Sequence, residues 1–166
     1  CVMASRVACV SDTVLIIDGH SMAFRAFYAL PPDNFVTATG QHTNAVYGFV
    51  SMLTRLLETE QPTHVAVAFD VSRHSFRTEE YPEYKGTRDA TPEEFKGQVE
   101  LIREVLDAMG IVSLSREGFE ADDILATLAY RAGNDGATVL VVSGDRDSFQ
   151  TVTDNVTVLY PGTGPG

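Results

Sequence analysis

Thr13-Val14-Leu15-Ile16-Ile17 runs apolar without alternation and stops at Asp18-Gly19. A strand wetted on one side would alternate polar and apolar residues. An unbroken aliphatic run instead fits a strand covered on both faces, as in a parallel sheet. His64-Val65-Ala66-Val67-Ala68-Phe69 repeats the pattern and also ends on an acid, Asp70. Thr138-Val139-Leu140-Val141-Val142 is a further case, leading into Ser143-Gly144-Asp145. Shorter runs at Ile111 to Leu114 and Val156 to Tyr160 read as two more strands.

Helical patterns separate these runs. One extends from about Ser21 to Ala29 and is stopped by Pro31-Pro32; residues 33–41 form a polar loop. Asn44 to Leu57 carries Val46, Phe49, Val50, Leu53, Leu56 and Leu57 at helical spacing. Thr91-Pro92-Glu93-Glu94 has the chemistry of a helix start, and the helix is expected to run to about Met109, closed by Gly110. Glu120 to Arg131 turns Ile124, Leu125, Leu128 and Ala129 inward. Strands alternating with helices predict an α/β domain, a central mostly parallel sheet flanked by helices.

A chain of 166 residues and 18.0 kDa fits one such domain, expected over 13–160. Residues 1–12 read as a disordered leader or tag-like start, and 161–166 as a flexible end. Hydrophobic content of 44% excludes a disordered chain, and no apolar run approaches the roughly 20 residues of a membrane span. Cys1 and Cys9 both fall in the leader, so no disulfide framework is expected, which suits a reducing, cytoplasmic interior. No secretion signal and no internal repeat are read.

The net charge of −11 argues at first against a polyanionic partner. Its distribution weakens that objection. Six of the 12 basic residues (Arg73, Arg77, Lys85, Arg88, Lys96 and Arg103) fall between positions 73 and 103. Seven acids gather for a reason considered next, and setting them aside leaves −4.

Ligands of an open parallel sheet bind at the carboxyl ends of its strands. Strands here finish at Asp18, at Asp70, and at Asp145 with Asp147, while the helix opening at Glu120-Ala121-Asp122-Asp123 can face the same edge. Each acid also has an ordinary explanation: strand-end aspartates are common in turns, and acids favour a helix N-terminus. Their coincidence at one edge favours a carboxylate site for hard divalent cations, since crowded carboxylates repel and Mg²⁺ or Mn²⁺ relieves that repulsion.

The segment 71–90 has no clean period, and its length suggests function. Ser75-Phe76-Arg77 and Pro82-Glu83-Tyr84-Lys85-Gly86-Thr87-Arg88 mix cations that can grip phosphate with rings that can stack on an unpaired base. Glu79, Glu80, Glu83 and Asp89 nearly neutralise it, so a solvated charged loop is the plainer alternative. Divalent ions beside phosphate-binding cations suit phosphodiester hydrolysis. His20 has a helix-capping or substrate-side role open to it, whereas His42, His64 and His74 lack ligand spacing. No nucleophilic triad, P-loop or dinucleotide fingerprint is present.

Ile17-Asp18-Gly19-His20, Phe24-Arg25-Ala26-Phe27, Ala45-Val46-Tyr47-Gly48-Phe49 and Ala68-Phe69-Asp70 resemble, in order, the 5′-nuclease domain family of bacterial DNA polymerase I. So do Ser75-Phe76-Arg77, Tyr81 to Arg88, Gly118 to Asp123 and Ser143 to Asp147, and the wording is similar to actinobacterial members. The resemblance implies a PIN-like (resolvase-like) three-layer fold with a helical arch over 71–90. It also implies a divalent-metal-dependent nuclease acting on DNA 5′ ends and flaps, or on RNA primer–DNA hybrids, in primer removal and repair near the bacterial nucleoid. Asp18, Asp70, Glu120, Asp122, Asp123, Asp145 and Asp147 would bind two Mg²⁺ or Mn²⁺ ions in the complete enzyme. Asp18 and Asp70 would share the catalytic role with Lys85 and Arg88 on the arch, while Arg25, Arg77 and Tyr84 would contact substrate. Family members continue into another aspartate motif, a helix-hairpin-helix module and a polymerase domain. This sequence ends at Pro161-Gly162-Thr163-Gly164-Pro165-Gly166 before any of them. Two alternatives are a catalytically incomplete DNA-binding fragment and another PIN-type ribonuclease.

Overall fold

The computed structural model describes residues 12–71 and 91–161. The expected leader, arch and flexible end therefore fall, border residues apart, outside the described residues, and so do Arg77, Tyr84, Lys85 and Arg88. The element order is β1 (Thr13–Asp18), α1 (Gly19–Ala29), α2 (Asn44–Glu60), β2 (His64–Ala68), α3 (Gln98–Ala108), β3 (Val112–Leu114), α4 (Ala121–Asn134), β4 (Thr138–Val142) and β5 (Val156–Leu159). Short 3₁₀ turns occupy Pro32–Asn34, Glu93–Phe95 and Arg146–Thr151. Among the described residues no helix is long and apolar enough to cross a membrane.

The five strands form one sheet in the order β3-β2-β1-β4-β5, and every neighbouring pair is parallel. Alternation along the central strands divides the core. Leu15 and Ile17 of β1, Val67 of β2, and Leu140 and Val142 of β4 pack with α1, α2 and α3 on one face. Ile16, Ala68, Val139 and Val141 pack with Ala121, Leu125 and Ala129 of α4 on the other. These are the three layers expected from continuous apolar strands. Leu15 and Ile16 are wholly buried on opposite faces, and each such side chain contributes about 1.5–3 kcal/mol. Neither layer of helices can therefore be removed without exposing the sheet.

This strand order has a consequence for function. The chain winds outward from β1 through β2 to β3 with its helices on one face. It then returns across the opposite face, through α4, to place β4 on the other side of β1. Right-handed crossovers require that change of face. The point of reversal lies between β1 and β4, and the carboxyl edge there is where open parallel sheets bind their ligands. Register fixes what lines it: Ile17 pairs with Val142 and Asp18 with Ala68, so Asp18, Phe69-Asp70 and Ser143 leave the sheet together.

One expected helix is corrected. Thr91 does not open a continuous helix to Met109; a 3₁₀ turn at Glu93–Phe95 is followed by a break, and α3 begins only at Gln98. The break has a side-chain cause. Gly97 takes φ 77°, a left-handed conformation that ends the turn and turns the chain so that Gln98 enters the core. There the Gln98 side chain accepts from the Ala45 and Val46 N–H groups at 2.8 and 3.3 Å, and donates to Asn44 Oδ1 and the Glu94 carbonyl at 2.8 Å. Asn44 in turn donates to the Phe27 and Leu30 carbonyls at 2.9 Å. Two buried amides thus satisfy the end of α1, the start of α2 and the entry to α3.

Candidate active site

Asp18 is the N-cap of α1. Its Oδ1 accepts from the Ser21 N–H at 2.9 Å, so the helix starts two residues earlier than the apolar pattern indicated. Its Oδ2 accepts from the Ser143 hydroxyl at 3.0 Å across the β1/β4 gap. Ser143 Oγ also accepts from the Asp145 N–H at 3.1 Å, and Ser21 Oγ accepts from the Gly144 N–H at 2.9 Å. Two hydroxyls therefore tie β1, α1 and the turn after β4 into one frame. The role of both serines is not evident from the sequence pattern alone. The available signal was a small hydroxyl three residues after a capping Asp, and another at the end of an apolar strand.

Asp70 lies two residues past β2. Its Oδ1 accepts from the Ala121 N–H at 2.6 Å, which draws the first turn of α4 onto the edge. Glu120 is the N-cap of α4 and forms a reciprocal capping box with Asp123, whose Oδ2 accepts from the Glu120 N–H at 3.0 Å. The ordinary helix-capping explanation of Glu120 and Asp123 is therefore realised in full. Asp145 caps the turn Arg146–Thr151 by accepting from the Asp147 N–H at 3.0 Å, and Asp147 itself is exposed. Arg25 is half-buried on α1, seven residues beyond Asp18.

The edge has an electrostatic centre. Asp18 is 6% exposed, and its pKa is raised from 3.8 to about 6. Burial is the main cause; the Asp122 and Asp70 charges push it up further, while the Ser21 N–H and the Ser143 hydroxyl pull it down. So Asp18, Asp70 and Asp122 share one electrostatic neighbourhood, and Asp145 joins it through Ser143. An all-oxygen donor set that penalises its own ionisation has the chemistry a hard divalent cation relieves. Among the described residues, no three His, Cys, Asp or Glu side chains converge closely enough to hold one ion between them. Each of Asp18, Asp70, Asp123 and Asp145 turns one oxygen toward a backbone N–H.

His20 stands beside this group. The Asp70 N–H donates to its Nδ1 at 3.2 Å, and Asp70 Oδ2 is 3.8 Å from the same atom. Burial pushes the imidazole below its usual range, Arg103 adds to that effect, and Asp70 and Glu100 oppose it. The neighbouring Phe69 ring fills the space under α1, where a Cβ on Gly19 would collide with the ring edge at Phe69 Cε1. Asp18-Gly19 is therefore a steric requirement as well as a turn.

The profile of one family, described as "5′-3′ exonuclease, N-terminal resolvase-like domain", matches residues 13–164. The chain belongs to that family. This exonuclease domain is 60% identical over 152 residues to DNA polymerase I of Mycobacterium tuberculosis (strain ATCC 25618 / H37Rv), which covers 92% of the chain and 17% of the relative. It is 51% identical over 148 residues to DNA polymerase I of Streptococcus pneumoniae (strain ATCC BAA-255 / R6), covering 88% of the chain and 17% of the relative. The exonuclease domain thus spans about a sixth of the length of these relatives. Among solved structures it is similar to a bacteriophage T5 5′-exonuclease with bound divalent zinc, at TM-score 0.68 and 25% identity, covering 89% of the chain and 55% of the neighbour. A bacteriophage T5 flap endonuclease captured with DNA and metal ions matches at TM-score 0.64 and 26% identity, covering 89% and 54%. The Rad2 catalytic core, at TM-score 0.51 and 17% identity over 84% of the chain and 41% of that core, shares the fold.

Proposed function

We propose that this exonuclease domain carries the metal-dependent chemistry of a nuclease that hydrolyses phosphodiester bonds at DNA 5′ ends and flaps, with Mg²⁺ or Mn²⁺. The observation that carries the reading is the buried Asp18 carboxylate, its pKa pushed up by the Asp122 and Asp70 charges, at the edge where strand order reverses. The bound metals of the phage T5 neighbours, and the DNA in one of them, support it.

Asp18, Asp70 and the Glu120, Asp122 and Asp123 group would hold one ion, and Asp145 with Asp147 a second. Magnesium keeps much of its own water, so side chains too far apart to share one ion directly can reach it through water. Such ions supply a water of lowered pKa and charge relief at a leaving oxygen. Ser21 and Ser143 hold the Asp18 carboxylate in its orientation, and the Ala121 N–H does the same for Asp70. Lys85 and Arg88 would offset charge on the reacting phosphate, Arg25 and Arg77 would grip flanking phosphates, and Tyr84 would stack on a displaced base. The longer parent protein would then add a polymerase domain and work in primer removal and repair.

The separation of donors among the described residues favours a second reading, a module that binds branched DNA without cutting it. A labelled 5′-flap oligonucleotide in Mg²⁺ or Mn²⁺ separates the two. Cleavage by the wild type that Asp70→Asn reduces at least 100-fold, with the fold intact by circular dichroism, supports the nuclease. That magnitude is about 3 kcal/mol of barrier. A shifted but intact band supports the binding module.

A further inference from the structure

We propose that His20 is a positioning residue for the acidic edge: its Nδ1 captures the Asp70 backbone N–H and so sets where the Asp70 carboxylate stands relative to Asp18. The inference rests on the nuclease reading above.

The need for such a group follows from the sheet. The last β1–β2 register pair is Asp18 with Ala68. One residue later the Phe69 N–H turns the other way, to the Leu114 carbonyl of β3 at 2.8 Å. By strand alternation the Asp70 N–H points back toward β1, but β1 has by then become α1 and offers no strand carbonyl. His20, in the first turn of α1, supplies the acceptor at 3.2 Å instead. A ring that accepts at Nδ1 carries its proton on Nε2.

The ring is itself fixed. It meets the Phe69 ring edge-on, with centroids 5.7 Å apart at 79°, and Phe69 is wholly buried beneath the Arg103 guanidinium at 4.5 Å. On its other side Asp70 accepts from the Ala121 N–H. A continuous connection therefore runs from α1 through His20 and Asp70 to α4, joining the elements that carry Asp18, Asp70 and Asp122. Without the acceptor, the Asp70 N–H loses that partner beyond the sheet, and the Ala121 N–H alone is left to orient the carboxylate.

Two substitutions separate the acceptor from the packing. His20→Asn keeps an oxygen near the Nδ1 position and removes the ring; His20→Phe keeps a ring and removes the acceptor. The measurements are Mn²⁺ binding by calorimetry in the absence of DNA, and flap cleavage as a function of Mg²⁺ concentration. Loss of a group that orients a ligand typically weakens metal binding by about 10–100-fold. His20→Phe is expected to lose Mn²⁺ affinity by about tenfold or more, and to recover its rate at saturating Mg²⁺. His20→Asn is expected to bind like the wild type. If His20→Phe does not fold, His20→Ala takes its place with the same expectation. Wild-type affinity in His20→Phe, or an equal loss in His20→Asn, would overturn the inference and reduce His20 to packing. A wild type that binds no Mn²⁺ would overturn it together with the nuclease reading. A wild type that binds and cleaves beside an unaffected His20→Phe would overturn this inference alone.

Discussion

Asp18 shows how one side chain is made costly by its surroundings. In the unfolded chain it would lose its proton near pH 3.8, and in the folded chain near pH 6. Between those values the native state holds the extra proton. Stability of the metal-free chain therefore falls as pH rises from about 4 to about 6, and stays low above that range. The penalty at neutral pH is on the order of 3 kcal/mol. Asp18→Asn should remove it while keeping a competent N-cap for α1. In EDTA the variant is expected to melt above the wild type at pH 7.5, with the gap closing toward pH 4. Thermal unfolding across that range tests this; a gap that does not change with pH would mean that Asp18 ionises normally. The residue type and the strand-end position were legible in the sequence, because an acid ending an apolar run is visible in one dimension. The Ser143 hydroxyl that also holds it was not, because it lies 125 positions away across the sheet, and the Gly144 N–H from which the Ser21 hydroxyl accepts lies 123 positions away.

At the scale of elements, Gln98 has the clearest measurable effect. Its wholly buried amide caps the start of α2 and reaches both Asn44 and the 3₁₀ turn at Glu93–Phe95. Gln98→Leu keeps much of the volume but leaves the Ala45 N–H and Asn44 Oδ1 buried without those partners. Unsatisfied buried groups cost about 1–3 kcal/mol each, so a loss of about 2–6 kcal/mol is expected in urea unfolding. A loss below 1 kcal/mol would show that water replaces the amide. This network also explains where sequence reasoning on α3 failed. Thr91-Pro92-Glu93-Glu94 carries a local helix signal, but Gly97 and the pull of Gln98 into the core override it from outside the window. The strands were legible because continuous burial leaves a local pattern, and the parallel sheet followed from their alternation with helices. The capping box of α4 was visible only as acids at a helix start, since Glu-x-x-Asp serves capping and metal binding alike.

Across the whole molecule, charge and the proposed DNA substrate conflict until the acids at one edge are considered separately. A chain of net charge −11 should repel DNA, most of all where the Asp70 and Asp122 charges act on Asp18. If that edge is where a phosphate must arrive, divalent ions have to act on binding as well as on bond breaking. Replacing all three acids with Asn removes three negative charges from the approach. Each is worth about 1 kcal/mol at 4 Å in water, less once screened, so roughly tenfold tighter flap binding in EDTA is expected. The same variant should gain nothing from added Ca²⁺ and should not cleave in Mg²⁺, whereas the wild type gains affinity with the ion. Lys85→Ala should show the opposite balance, losing cleavage more than binding if the lysine meets charge that grows only in the transition state. Fluorescence anisotropy in EDTA and in Ca²⁺, with cleavage followed separately in Mg²⁺, reads all of these. A triple variant that binds no tighter than the wild type in EDTA would mean that the phosphate approaches elsewhere, and that these carboxylates crowd together only to cap and tie the elements of the fold.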